Sequence, residues 1–127
     1  MIKPLKIEPT HKTPHVHLNA ESGVFEIGGR SIPEDSVGFY KKIIDWIDEY
    51  GGSPLPLTEF KFELEYFNTS SSKNILEILK RLEKIHSDIN IVKIIWYYEE
   101  DDEDMEETGE DYKVLISVPF ELVMKVY

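Results

Sequence analysis

Between residues 57 and 67 apolar and polar side chains alternate, with Phe60, Phe62, Leu64 and Tyr66 on one side and Lys61, Glu63 and Glu65 on the other. A period of two over this length predicts a half-buried strand. The period then lengthens. Ile75, Leu76, Leu79 and Leu82 form the apolar stripe of a helix running to about His86. Residues 89 to 98 are almost continuously apolar (Ile91-Val92-Lys93-Ile94-Ile95-Trp96-Tyr97-Tyr98), as expected of a strand central in a sheet. Upstream, residues 14 to 19 and 23 to 28 read as two short strands joined by a hairpin turn near Glu21-Ser22-Gly23, and Gly28-Gly29 is expected to break the second. Ser31-x-x-Glu34 has the form of a capping box, and Pro33 suits a first helical turn. That helix is expected to run to about Tyr50 with Tyr40, Ile43, Ile44, Ile47 and Tyr50 inward, and to end at Gly51-Gly52. Near the other end, Met105, Tyr112 and Leu115 have the spacing of a third helix. Gly109 and a run of like charges weaken that expectation. Residues 118 to 126 read as a last strand with Phe120, Leu122, Met124 and Val126 on one face.

The resulting order is β-β-α-β-α-β-(α)-β. Helices between strands imply crossover connections and a parallel or mixed sheet. Strands with one polar face imply helices packed mainly on one side. The fold class expected is therefore α/β, with residues 1–127 as one domain. A chain of this length can bury a single core, and its 41% hydrophobic content is ordinary for a globular protein.

Charge adds a constraint. The net charge is −11, and residues 99 to 111 carry ten acidic side chains and no Lys or Arg. Removing that segment leaves 15 acidic and 14 basic residues, so the body is nearly neutral with one acidic flank. Nucleic acid and anionic membrane surfaces are poor partners for such a chain, because both need basic surface. The acidic flank is expected to be a solvated face that steers a basic partner. There is no cysteine, which fits a reducing cytoplasm, and the first residues lack the apolar core of a signal peptide.

The candidate chemistry sits where the half-buried strand gives way to the second helix. Asn68, Thr69, Ser70, Ser71 and Ser72 fall together at a helix N-terminus, where backbone amides lack intrahelical partners and the dipole favours negative charge. Such residues commonly only cap. A phosphate on one of these hydroxyls would instead add up to two negative charges at a spot able to hold them. Other sites are weaker. His11, His15 and His17 cluster, and His15 and His17 share a strand face, yet the nearby carboxylates Glu8 and Glu21 are poorly spaced for a metal. An EF-hand reading of the acidic run fails, since its sixth loop position would be Glu107 and its twelfth Lys113. No phosphate-binding loop or nucleophile elbow is present. His86 is too far along its helix, about 20 Å, to activate Ser70, Ser71 or Ser72. No catalytic residue, cofactor or metal is therefore expected. A cleft lined by Trp96, Tyr97 and Tyr98 remains as a small enzyme or ligand-binding alternative.

The stretch Leu64-Glu65-Tyr66-Phe67-Asn68-Thr69-Ser70-Ser71-Ser72-Lys73 resembles the signature of the SiaC family of bacterial regulatory phosphoproteins. So do Thr13-Pro14, Gly29-Arg30-Ser31-Ile32-Pro33-Glu34, Asp45-Trp46, Trp96-Tyr97-Tyr98 and Gly109-Glu110-Asp111-Tyr112. The departures are Ile32, where an aromatic is expected, and Asp35, where Asn is expected. The resemblance implies a fold like SpoIIAA and other anti-sigma-factor antagonists of the STAS type. It implies Thr69 as the phosphothreonine, with Ser70 and Ser71 as second choices and Asn68, Ser70, Ser71 and Lys73 as partner-binding neighbours. It also implies a histidine-kinase-like Ser/Thr kinase, a PP2C-type phosphatase, and a diguanylate cyclase bound and activated by the unphosphorylated form. An anti-sigma-like target is the alternative.

Overall fold

A computed structural model describes residues 2–126. The elements are β1 (Leu5–Ile7), β2 (His15–Asn19), β3 (Val24–Ser31), α1 (Ser36–Tyr50), β4 (Leu57–Phe67), α2 (Thr69–Ile85), β5 (Ile91–Glu99), α3 (Glu103–Leu115) and β6 (Phe120–Lys125). They build one six-stranded sheet in which spatial order equals chain order, β1-β2-β3-β4-β5-β6. β1, β2 and β3 pair antiparallel; β3 to β6 run parallel. Each parallel step crosses over through a helix and moves in the same direction, so a constant hand of crossover stacks α1, α2 and α3 on one face. The mixed sheet with one-sided helices is the architecture the alternation predicts.

Burial follows that arrangement. Phe60, Phe62 and Leu64 of β4 point into the helices and are buried, while Lys61, Glu63 and Glu65 are exposed on the open face. The core joins Leu18, Ile27, Phe60, Phe62, Ile94 and Trp96 of the sheet to Tyr40, Ile43, Ile47, Ile75, Ile78 and Leu79 of the first two helices. Trp96 is its centre under α3. It meets Phe62 at 5.5 Å, Tyr112 at 5.4 Å and Phe120 at 6.4 Å between ring centroids, and its Nε1 donates to the Met105 carbonyl at 3.0 Å.

Four features differ from the pattern reading. The strand β1 was not anticipated; three residues carry no periodicity. Gly28-Gly29 does not break β3, which continues to Ser31 across a register shift between Gly29 and Arg30, where β4 carries the extra residue, Glu65. Gly29, with φ of 102°, takes the left-handed backbone that this irregularity requires. The first helix consequently starts later: Asp35 caps it by accepting from the Gly38 amide at 3.0 Å, and Ser31 and Glu34 form no capping box. Finally, α3 is a full helix. Asp102 caps it through the Met105 amide, and Glu103, Asp104 and Glu106 lie in its first turn, where the dipole favours acids. Gly109 is not an interruption but the point of closest approach. A β-carbon there would lie 2.4 Å from Trp96 Cδ1.

Tyr97 and Trp96 point to opposite faces of β5, so Trp96, Tyr97 and Tyr98 do not line one cleft: Trp96 is fully buried, and Lys125 Nζ lies 4.5 Å from the centre of the Tyr97 ring. His15 and His17 do share the open face, and His15 Nε2 lies 3.9 Å from Glu26 Oε1. None of the described helices is long and apolar enough to cross a membrane.

Replacing Gly109 by Ala forces the helix off Trp96 and is expected to cost ~1–3 kcal/mol, as overpacking does. Urea denaturation is the measurement, with the exposed Glu107→Ala of the same helix changing stability by less than about 0.5 kcal/mol. Equal effects from the two substitutions would show that α3 does not rest on that contact.

Candidate functional site: a hydroxyl cluster at the start of the second helix

β4 delivers the chain to Asn68, whose backbone amide donates to the Ser31 carbonyl at 3.0 Å, fixing the strand end beside β3. Asn68 is the N-cap of α2, with extended backbone and its Oδ1 accepting from the Ser71 amide at 2.9 Å. Thr69 is therefore the first helical residue and Lys73 lies one turn on, on the same side of the helix. Asn68 is half-buried; Thr69, Ser70 and Lys73 are exposed.

Ser71 is the opposite case: it is fully buried. Its hydroxyl donates to the Ser31 carbonyl at 3.0 Å and also lies 2.9 Å from Ser31 Oγ, which in turn lies 2.6 Å from the Tyr40 hydroxyl. Each hydroxyl has one proton. If Ser71 gives its proton to the carbonyl, Ser31 donates to Ser71 and Tyr40 donates to Ser31. The same logic orders a second, outer pair. Ser70 Oγ donates to Asn68 Oδ1 at 3.1 Å, so Ser36 at the start of α1 donates to Ser70 at 2.6 Å. Ser72 Oγ donates to the Thr69 carbonyl at 2.7 Å, and the Ser72 carbonyl accepts from the Tyr112 hydroxyl of α3 at 2.8 Å. The hydroxyls of Ser70, Ser71 and Ser72 are thus all committed, and that of Thr69 enters none of these bonds.

Burial pushes the Tyr40 phenol up from its ordinary pKa, overcoming the hydrogen bonds from Ser31 and Ser71 that pull it down. Burial, followed by the neighbouring Tyr40, raises Tyr112 strongly. The network is therefore neutral at physiological pH. On the solvent side the site is flanked by Arg30, whose guanidinium lies 5.7 Å from the Tyr66 ring centre and 3.9 Å from Glu65, and by the exposed apolar Val37 and Tyr66.

Ser71, expected above as a second-choice acceptor and a partner contact, is here an internal strut closed to both roles in the folded state. Ser31, Ser36 and Tyr40 were not recognised from sequence as parts of the site. A hydroxyl ending a strand and a Tyr opening the apolar face of a helix were the available signals.

A sequence model of the SiaC family regulatory phosphoproteins matches residues 7–125. This chain belongs to the SiaC family. An uncharacterized protein of Pseudomonas aeruginosa (strain UCBPP-PA14) is 33% identical over 119 residues, covering 91% of this chain and 92% of its own. The solved structure of SiaC of Pseudomonas aeruginosa superposes with a TM-score of 0.88 at 28% identity, covering 98% of this chain and all of that one. A crystal structure of the diguanylate cyclase SiaD in complex with its activator SiaC, also from Pseudomonas aeruginosa, matches with a TM-score of 0.88 at 30% identity over 95% of this chain and 99% of that one. The fold is thus that of SiaC, which is SpoIIAA-like.

Two outcomes test the network. Ser71→Ala leaves the buried Ser31 hydroxyl proton without its acceptor and takes one of two donors from the Ser31 carbonyl, which keeps the Asn68 amide; the expected cost is ~1–3 kcal/mol, whereas Thr69→Ala, at an exposed hydroxyl, costs less than about 1 kcal/mol. Equal losses in chemical denaturation would remove the distinction between strut and surface. For pH, the tyrosines set the sign. Their folded pKa values lie above the unfolded value, so their contribution is whole below about pH 10 and is lost as pH rises through the folded values. Stability should fall above about pH 10, and Tyr40→Phe should flatten the decline. A decline identical in that variant would show that Tyr40 ionises as freely as an exposed phenol.

Proposed function

We propose that this protein is a non-enzymatic binding switch whose unphosphorylated form binds and activates a diguanylate cyclase, and which a Ser/Thr kinase turns off by phosphorylating Thr69. A PP2C-type phosphatase resets it, and the cycle runs in the cytoplasm. The observation that carries the reading is the division of labour among adjacent hydroxyls. Ser70 to Ser72 are spent on holding the turn, and Thr69 is exposed at the first position of α2 with no such duty. The likeness to SiaC bound to SiaD supports the choice of a cyclase as target.

The physical step is local. Before phosphorylation the neighbourhood offers the exposed Val37, Tyr66 and Ser70 and the half-buried Asn68 to a partner that must approach closely. Transfer of a phosphoryl group to Thr69 Oγ1 places up to two negative charges at the α2 N-terminus. Free amides of the first turn and Lys73, four residues on, stabilise them there. The phosphate is therefore comfortable in the free protein and costly in the complex, where it loses water without gaining an equal partner.

Thr69→Ala is expected to keep the fold and bind the cyclase permanently. Thr69→Glu, one charge on a planar group, should weaken binding by at least about tenfold, since a charge left unpaired in an interface costs ~2–5 kcal/mol. Calorimetric affinity for the purified cyclase, with cyclic di-GMP formation as readout, compares wild type, both variants and the kinase-treated protein. Phosphate found on a residue other than Thr69, or unchanged affinity after phosphorylation, would overturn the mechanism.

A further inference from the structure

The two edges of the sheet are built differently. β1 has three residues and lies between Pro4 and Pro9, so it offers almost no ladder to a newcomer. β6 has six residues with no proline among them; its Met124 is 50% exposed, and Val126, just past its end, is 68% exposed.

The backbone of β6 fixes what can pair with it. The Pro119 carbonyl accepts from the Ile94 amide at 2.8 Å and the Lys125 carbonyl accepts from the Glu100 amide at 3.0 Å. Odd-numbered residues of β6 therefore turn their amides and carbonyls toward β5, and strand alternation turns those of Phe120, Leu122 and Met124 outward. An antiparallel copy of the same strand must set outward groups against outward groups, hence even positions against even. Among such registers, the one centred on Val123 places Glu121 of each copy opposite Lys125 of the other, twice, on the open face. It also sets Leu122 against Met124, twice, on the helix face. Glu121 and Lys125 are already turned to that open face, where Glu121 pairs with Lys93 at 2.9 Å and Lys125 with Glu63 and the Tyr97 ring. Directly opposite residues in this kind of pair lie about 4.5 Å apart between α-carbons, close enough to add a cross-strand ion pair to those contacts.

We infer that β6 is a homodimerisation edge: two copies of this chain join antiparallel through residues 120–125 about a two-fold axis at Val123, extending the sheet to twelve strands with all helices on one side. Self-complementarity is what a two-fold interface demands; backbone parity allows this register and charge singles it out. The seam works against long-range repulsion, because each copy has a net charge of −11. Association therefore strengthens as salt screens that repulsion.

Sedimentation of the full chain across a concentration and salt series is the test. A monomer–dimer equilibrium that tightens with moderate salt is expected. Met124→Pro removes only an outward amide, which an edge strand tolerates, and should abolish the dimer while circular dichroism stays native. Glu121→Lys and Lys125→Glu should each weaken self-association about tenfold, and a mixture of the two should recover it, since the mixed dimer restores both cross-strand pairs. A chain that stays monomeric at all salts overturns the inference. So does a dimer indifferent to Met124→Pro, or a mixture that recovers nothing; the last two mean another surface or another register.

Discussion

Three elements of this protein meet at a single oxygen. Ser31 Oγ, at the end of β3, lies within hydrogen-bond distance of Tyr40 on α1 and Ser71 on α2. All three side chains are buried, so none can turn to water, and each hydroxyl must find its partner inside the protein. The requirement is met throughout: among the described residues no buried side-chain nitrogen or oxygen lacks a partner. This neutral chain ties the start of α2 to the sheet and to α1, and so determines which of the neighbouring hydroxyls is left over. The exposed threonine is a consequence of where its neighbours are anchored.

The parts of the fold readable from sequence are those governed by long periodicities. The alternation of β4 and the stripe of α2 each repeat over many residues, and both elements lie where the pattern puts them. The junction between them was legible for the same reason, as the place where one period stops and another starts. What escaped is governed by single contacts between distant residues. Ser31 has the spacing of a helix cap, but β3 runs on past the register shift at Gly29–Arg30 and ends with Ser31 in the core. Gly109 lowers the helix propensity of α3, yet Trp96 needs the space it leaves. Local propensity gave the wrong sign in both cases because the deciding neighbour lies far away in sequence.

The acidic run shows a related division. Its charges are not uniformly placed on a disordered flank. Asp102 is a cap, Glu103, Asp104 and Glu106 sit at the favourable end of a helix dipole, and Met105, Gly109 and Tyr112 turn inward among them. The helix is held by this inner seam and by the hydrogen bond from Tyr112 to the first turn of α2. An element that looks solvated from its composition is thus attached directly to the candidate site.

The sheet's order, with every strand beside its predecessor in the chain, bears on how the molecule is made. Each strand can dock on a surface completed just before it, so contacts stay local and few long loops must close before they are rewarded. During synthesis the nascent chain grows the sheet in one direction. Before β6 has emerged, the apolar strand β5 is itself the edge, with Ile94 and Trp96 lacking the backbone partners that β6 later supplies. During that interval the chain presents an apolar, unpaired edge that is open to aggregation. The closely following α3, which covers Trp96 as soon as it forms, shortens the interval.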